Sequence, residues 1–184
     1  MAAIAPHDSV ERFEGLGCTV IEARARFTDP RTVEAGGKTI KARTFIIATG
    51  SRAAVPPIPG LADVPYMTNE SVFDNTLLPD HLVIIGGGPI GCEMAQAHRR
   101  LGARVTILDA NGILPKDDPD AVAVVRARLV TEGVDVREKI KISRVMKQGN
   151  GIAVVLSTAD GREETVAGSH LLVAAGRRAN VEDL

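Results

Sequence analysis

The stretch that decides the fold is Leu82-Val83-Ile84-Ile85-Gly86-Gly87-Gly88-Pro89-Ile90-Gly91, a short apolar run that leads into a glycine-rich hexapeptide. Such a run, from Leu82 to Ile85, is typical of a strand that is covered on both faces of a parallel sheet. After Gly91, apolar residues recur at the spacing of one helix face until Gly102 ends the pattern. A strand, a GxGxxG turn and a helix in this order indicate the βαβ unit that binds dinucleotides.

Each glycine of this motif has a specific physical role. Gly86 permits a tight turn out of the strand, Gly88 lets the backbone approach a pyrophosphate, and Gly91 brings the helix close to the sheet. The pyrophosphate would then rest on backbone N–H groups at the positive end of the helix dipole. Glycines that only shape a strand-to-helix turn are the alternative. The predicted loop consists of Gly86, Gly87, Gly88, Pro89, Ile90 and Gly91.

Asp109 follows the second predicted strand and lies 23 positions after Gly86. An acidic side chain at this place can accept hydrogen bonds from the adenosine ribose, and it would repel a 2′-phosphate. The stretch 110–115 contains no arginine that could neutralise such a phosphate. The sequence therefore favours NAD over NADP, although Asp109 could also serve only to begin a turn.

The chain beyond Asp109 continues the α/β pattern and then changes to strands. Asp118 is the predicted cap of a second helix, and a third strand is expected at 134–136. Turn signals at Asn150-Gly151 and Asp160-Gly161 then predict an antiparallel meander, which closes with the buried run 171–177. The predicted fold is therefore α/β: a Rossmann-like three-layer domain with a parallel sheet and an antiparallel β-meander.

The chain before the glycine motif has a different organisation. Asp8 or Ser9 can cap a short helix, and the segment 18–45 has the pattern of a three-stranded antiparallel meander. The apolar run Thr44–Ser51 resembles another strand covered on both faces. A proline-rich segment follows and is interpreted as a linker, because its prolines disfavour long ladders and helices.

Composition excludes several functions. The formal net charge is −1, aromatic residues make up 3% and tryptophan is absent, so nucleic-acid binding is not expected. No apolar run is long enough to span a membrane and no signal peptide is evident, which predicts a cytoplasmic protein. Cys18 and Cys92 lie too far apart in sequence for a metal motif, and both are expected to be buried thiols. No spacing suggests a catalytic triad or a metal site.

Three stretches, in this order, resemble the class I pyridine nucleotide-disulfide oxidoreductases: Thr44–Ser51, Gly86–Glu93 and Ala174–Asn180. The similarity is greatest to the branch of mercuric reductase and dihydrolipoamide dehydrogenase, and it covers virtually the whole chain. It implies an internal fragment of an enzyme that passes a hydride between NAD and FAD and electrons to a redox-active disulfide. The part present here would begin after the CxxxxC pair and end before the dimerisation domain.

The resemblance assigns a role to each part of the chain. Residues 1–54 resemble the C-terminal part of an FAD-binding domain, 55–79 the proline-rich linker, 80–176 the NAD-binding domain, and 177–184 the start of the return to the FAD domain. It implies no catalytic residue in this chain, because the redox disulfide is absent. For the whole protein it implies FAD, a small disulfide or metal ion as substrate, and a homodimer.

The resemblance also assigns binding residues one by one. Glu93 would lie beside the nicotinamide ring, although a carboxylate near a helix N-terminus could equally serve the dipole alone. The NAD contacts implied are Gly86, Gly87, Gly88, Pro89, Ile90, Gly91, Glu93, Asp109, Ile142 and Gly176. The FAD contacts implied for the whole protein are Ala25, Thr49, Gly50 and Ser51. In this chain Pro89 replaces a tyrosine that some members use as a lid, and Ala179 replaces a proline.

Two hypotheses about function result. In the first, the chain is the NAD(H)-binding portion of an FAD-dependent disulfide oxidoreductase. In the second, it is a free-standing, non-catalytic dinucleotide-binding module. The first also predicts that the segment 20–50 lacks its parallel strand neighbours. Apolar residues such as Phe45, Ile46 and Ile47 are then expected to pack against another copy of the chain or to be poorly ordered.

Overall fold

A computed structural model describes residues 9–157 and 162–184 of the chain, so the turn predicted at Asp160-Gly161 and the possible cap Asp8 lie outside the described residues. The chain forms two compact units. The first contains residues 9–50 and 179–184, and the second contains Ser51–Arg178. Within the described part, none of the helices combines the length and apolar character that a membrane crossing requires.

The first unit is a short helix followed by a β-meander. Helix α1 spans Val10–Gly15, and the hydroxyl oxygen of its N-cap, Ser9, accepts a hydrogen bond from the backbone N–H of Arg12 at 3.3 Å. The strands are β1 (Ala25–Asp29), β2 (Thr32–Ala35) and β3 (Lys38–Lys41). They pair antiparallel in the order β1-β2-β3, which confirms the predicted meander.

The strand predicted at Thr44–Ser51 is wrong for residues 44–50, which have no strand structure. Ile46 is 91% exposed and Ile47 is 56% exposed. A strand covered on both faces requires neighbours on the sheet, and the described residues place none beside this run. The prediction that Cys18 is a buried thiol is also wrong, because its side chain is exposed.

The second unit is built around a four-stranded parallel sheet. Its strands lie in the order β11-β5-β6-β7, and each adjacent pair is parallel. The elements after residue 50 are β4 (Ser51–Ala53), β5 (His81–Ile85), α2 (Pro89–Leu101), β6 (Arg104–Leu108), α3 (Pro119–Thr131), β7 (Asp135–Arg137), β8 (Lys141–Gln148), β9 (Gly151–Ser157), β10 (Glu163–Gly168), β11 (His170–Val173) and β12 (Arg177–Ala179).

The parallel sheet is covered on both faces, which confirms the predicted three-layer α/β arrangement. Along β5, Leu82 and Ile84 pack in one core with residues of α2 and α3. Val83 and Ile85 pack on the opposite face with the antiparallel meander β8-β9-β10. The alternation places successive side chains of one strand in two cores, as the strand geometry requires.

Local signals determine the helix ends. Asp118 is the N-cap of α3, and its carboxylate accepts the N–H of Asp120 at 2.9 Å and that of Ala121 at 3.4 Å. Helix α2 ends at Gly102, which adopts a left-handed conformation with φ of 110°. Both helix ends were predicted from these residues.

The proline-rich segment 55–79 contains two short 3₁₀ helices, Leu61–Asp63 and Val72–Asp74. It lacks longer regular elements, as its prolines predict, yet it packs tightly: Leu61 is 1% exposed, and Val64 and Val72 are buried. Met67 forms a parallel bridge with Leu172 of β11. This segment therefore belongs to the core of the second unit.

Candidate dinucleotide-binding site

The glycine-rich loop joins β5 to α2, and two of its glycines are required by close packing. Gly86 has φ of 111°, and a Cβ there would lie 2.3 Å from the carbonyl oxygen of Ala174. A Cβ at Gly91 would lie 2.0 Å from the carbonyl oxygen of Gly86. These positions accept only glycine, because a side chain would collide with the backbone.

Gly88 differs from its neighbours, because nothing in the chain requires glycine there. Its φ of −72° and ψ of −175° are ordinary extended values, and a Cβ would meet no atom within 4 Å. Gly88 is also the N-cap of α2, a position that Ser, Asp or Asn would stabilise better, and no side chain caps this helix. Open space therefore lies above the uncapped N–H groups at the positive end of a thirteen-residue helix.

Asp109 directly follows β6 and organises the loop after it. Its Oδ2 accepts the backbone N–H of Gly87 at 2.7 Å. Its Oδ1 accepts those of Asn111 at 2.7 Å and Gly112 at 3.0 Å. The turn-forming role left open by the sequence is therefore present, and it links the acidic residue to the glycine loop. Among the described residues, Oδ2 accepts only the N–H of Gly87, so it still has lone-pair capacity for a further donor such as a ribose hydroxyl.

Glu138 and Arg126 form a second polar group at this edge of the sheet, and no sequence pattern indicated either residue. Oε1 of Glu138 accepts the backbone N–H of Ile113 at 2.7 Å. The two terminal nitrogens of the Arg126 guanidinium each pair with one oxygen of Glu138. The two residues are 12 positions apart and Glu138 is 25 positions from Ile113, so no local pattern reveals the group.

Cys92 lies inside α2 beneath the loop, where its Sγ donates to the carbonyl oxygen of Gly87 at 3.3 Å. Burial, followed by the nearby Asp109 carboxylate, raises the pKa of this thiol to about 11. The thiol therefore stays protonated at neutral pH, and thiolate chemistry is disfavoured.

A family model described as "Pyridine nucleotide-disulphide oxidoreductase" matches residues 7–184, virtually the whole chain. The chain belongs to the pyridine nucleotide-disulphide oxidoreductase family. Two similar relatives are the mercuric reductase of Shigella flexneri, 37% identical over 94% of this chain and 32% of its own length, and the dihydrolipoyl dehydrogenase of Thermus scotoductus, 38% identical over 93% and 38%.

Solved structures of family members have the same fold. LpdA from Mycobacterium tuberculosis matches with a TM-score of 0.82 and 29% identity, over 100% of this chain and 42% of its own. The HOCl-induced flavoprotein disulfide reductase RclA from Escherichia coli matches with a TM-score of 0.76 and 31% identity, over 90% and 38%. The chain thus spans about a third of the length of the curated relatives it matches.

The other residues predicted for NAD are Glu93, Gly176 and Ile142, which lie outside the glycine loop. Glu93 is exposed and is the fifth residue of α2, so it lies beyond the first helical turn, where the helix dipole acts most strongly. Gly176 has φ of 122° and lies two residues beyond Ala174, whose carbonyl group packs closely against Gly86. Ile142 lies in β8, two residues after Ile140, whose N–H donates to the Asp109 carbonyl oxygen at 3.3 Å.

Three of the four residues predicted for FAD, Thr49, Gly50 and Ser51, are hydrogen-bonded by Arg177 and Asn180 near the C-terminus. In the first unit, Nδ2 of Asn180 donates to the Thr49 carbonyl oxygen at 3.1 Å, and its backbone N–H donates to that of Gly50 at 3.0 Å. In the second unit, Nε of Arg177 donates to Oγ of Ser51 at 2.7 Å. The fourth residue, Ala25, begins β1 and is exposed.

Proposed function

We propose that the second unit binds NAD(H), as the pyridine-nucleotide portion of an FAD-dependent disulfide oxidoreductase that transfers hydride between nicotinamide and flavin. Gly88 is the observation that supports this most directly. A glycine with ordinary dihedral angles, open space around it and no packing need is explained if a ligand approaches its backbone. A pyrophosphate fits the positive end of an uncapped helix.

The other residues have complementary roles in this proposal. The first-turn N–H groups of α2 hold the pyrophosphate, while Asp109 accepts a ribose hydroxyl and disfavours a 2′-phosphate. Glu93, exposed on the same helix, borders the nicotinamide. The nicotinamide, when bound, supplies the hydride, and the chain itself positions and orients it.

For the whole protein we infer FAD as second cofactor, with Ala25, Thr49, Gly50 and Ser51 among its contacts, and a homodimer as the assembly. Relatives named mercuric reductase and dihydrolipoyl dehydrogenase favour a metal ion or a small disulfide as substrate.

The test is Gly88→Val in the 184-residue chain. A Cβ at this position meets no protein atom within 4 Å, and the valine side chain would occupy the space where the pyrophosphate would lie. NADH binding measured by isothermal titration should fall below detection, while circular dichroism and thermal unfolding stay close to those of the parent chain.

A matched control is Gly15→Val, because Gly15 also has open space around its Cβ position but lies in α1, in the other unit. This variant should bind NADH like the parent chain. Undiminished binding by Gly88→Val would show that the glycine loop is purely structural and would refute the proposed site.

A further inference from the structure

We propose that Glu138 determines nucleotide specificity, because it neutralises Arg126 and thereby denies a 2′-phosphate the cation it needs. The inference rests on the proposed NAD(H) site and concerns residues outside the glycine loop. The Glu138 carboxylate joins the loop after Asp109 to Arg126 of α3, and this contact is the basis of the proposal.

Glu138 is held in one position by two different partners. Its Oε1 accepts the backbone N–H of Ile113, and both of its oxygens pair with the guanidinium of Arg126. The side chain of Glu138 is only 18% exposed and that of Arg126 is 38% exposed. A two-point pair of this kind directs the guanidinium towards the carboxylate, engages one N–H of each terminal nitrogen and compensates the positive charge.

This pair lies beside the position that discriminates the two nucleotides. Asp109 holds the N–H groups of Asn111 and Gly112, and Glu138 holds the next N–H along the chain, that of Ile113. Arg126 is therefore separated from the ribose-side loop by a single carboxylate. In Rossmann-like domains, an arginine near the ribose carboxylate is the group that accommodates a 2′-phosphate.

The pair also modifies the inference drawn from the sequence. The absence of arginine from 110–115 suggested that no cation is near. The structure brings Arg126 to this loop from α3, the helix that follows it in the chain, and NAD preference therefore depends on Glu138 as well as on Asp109. An arginine whose charge is compensated attracts a phosphate far less than an uncompensated one.

The experiment compares NADH with NADPH, and 5′-ADP with 2′,5′-ADP, by isothermal titration of the 184-residue chain and its Glu138→Gln variant. Glutamine keeps an oxygen that accepts the Ile113 N–H but removes the negative charge. We expect the NADH-to-NADPH affinity ratio to fall at least fivefold, through tighter binding of NADPH and 2′,5′-ADP, with NADH affinity changed less than twofold.

Two further variants isolate the cause. The double variant Glu138→Gln/Arg126→Gln should lose the gain in NADPH affinity, because the released cation is then gone. Glu163→Gln is the matched control: Glu163 also pairs through both oxygens with an arginine, Arg144, but on strands β8 and β10, and it should leave the ratio unchanged. If circular dichroism shows that Glu138→Gln does not fold, Glu138→Ala is used instead to test the effect of removing the same negative charge.

The outcomes separate the two proposals. If the parent chain binds NADH but the ratio is unaltered in the charge-removing variant, the role of Glu138 is refuted while the NAD(H) site stands. If the double variant keeps the gain, Arg126 is not its source and the inference is refuted. If the parent chain binds neither nucleotide, the proposed function itself fails and this inference fails with it.

Discussion

At the scale of single residues, Asp109 combines a structural role with the proposed recognition of ribose. Its carboxylate accepts three backbone N–H groups, from Gly87, Asn111 and Gly112. Removing the side chain leaves these donors without a partner, and hydrogen bonds to a charged group are among the stronger ones. In the proposed site, nucleotide affinity and the order of the loop would therefore depend on the same side chain.

Asp109→Ala should consequently change two quantities. The parent chain should bind NADH at least about tenfold better than NADPH, which corresponds to about 1.4 kcal/mol, and the variant should narrow this gap. The free energy of unfolding should also fall by about 2 kcal/mol, the cost of leaving such donors unpaired. Titration with both nucleotides and urea unfolding measure the two effects.

Asp109→Asn is the matched variant, because its Oδ1 still accepts the N–H groups of Asn111 and Gly112 while the charge is gone. It should lose less stability than Asp109→Ala, and it should reduce the difference between NADH and NADPH affinity to a similar extent. Equal affinities of the parent chain for NADH and NADPH would refute the assignment of Asp109.

Sequence patterns predicted the packing of the glycine loop, whose residues are neighbours in the chain. Gly86 and Gly91 have the packing roles expected of them, because a GxGxxG turn places both within one strand-to-helix connection. Glu138 and Arg126 escaped prediction because their pairing depends on how α3 and the segment after β7 pack against the sheet. Tertiary contacts of this kind have no fixed spacing in sequence.

At the scale of elements, Glu132 joins the two helices that cover one face of the sheet. It is the C-cap residue of α3, and its carboxylate accepts from Arg100 of α2 at 2.7 and 2.9 Å and from Arg128 of α3 at 2.5 Å. Nε of Arg99 also donates to its backbone carbonyl oxygen at 2.8 Å. Hydrogen bonds from Arg100, and then from Arg128, lower the pKa of Glu132 from 4.5 to about 2.

This lowered pKa predicts a pH dependence of stability. Because the folded-state pKa lies below the unfolded one, the ionised Glu132 stabilises the fold fully above about pH 4.5, and this contribution is lost as the pH falls towards about 2. Glu132→Gln should therefore lower the urea midpoint at neutral pH, and its difference from the parent chain should shrink over that acidic range. Arg100→Gln should produce the same trend. A difference that stays constant down to pH 2 would contradict the ion-pair origin.

Elements were predictable to the extent that their determinants are local. The ends of α2 and α3 follow from Gly102 and Asp118, which act within one helical turn. The strand predicted at 44–50 is absent because apolar composition indicates only that a run could form a buried strand. Such a strand forms only where neighbouring strands pair with it. Composition alone cannot supply them.

At the scale of the whole molecule, the two units differ in how much apolar surface they bury. The second unit has two apolar clusters, one on each face of its sheet. In the meander of the first unit, buried side chains occur only in β2, at Thr32, Val33 and Ala35, among the described residues. Ile46 and Ile47 lie exposed beside Thr49 and Gly50, so the stretch assigned to FAD has little apolar support.

The 184-residue chain should therefore not retain FAD. Its single GxGxxG motif lies at Gly86–Gly91, in the proposed NAD(H) site, and FAD in this family needs a phosphate-binding turn of its own. Purified protein incubated with FAD and then desalted should show no flavin absorbance and no NADH-dependent disulfide or metal-ion reductase activity. Stoichiometric yellow protein would overturn this prediction.

The parallel bridge at Met67 has a consequence for solubility. Its N–H donates to the Leu171 carbonyl oxygen at 2.8 Å, and its carbonyl oxygen accepts the Val173 N–H at 2.8 Å, so the outer side of β11 is partly occupied. An exposed sheet edge invites pairing with other chains and aggregation, and proline cannot extend such pairing. Pro65 stands two residues before the bridge. The proline-rich segment thus protects the edge of the sheet while offering little template for a further strand.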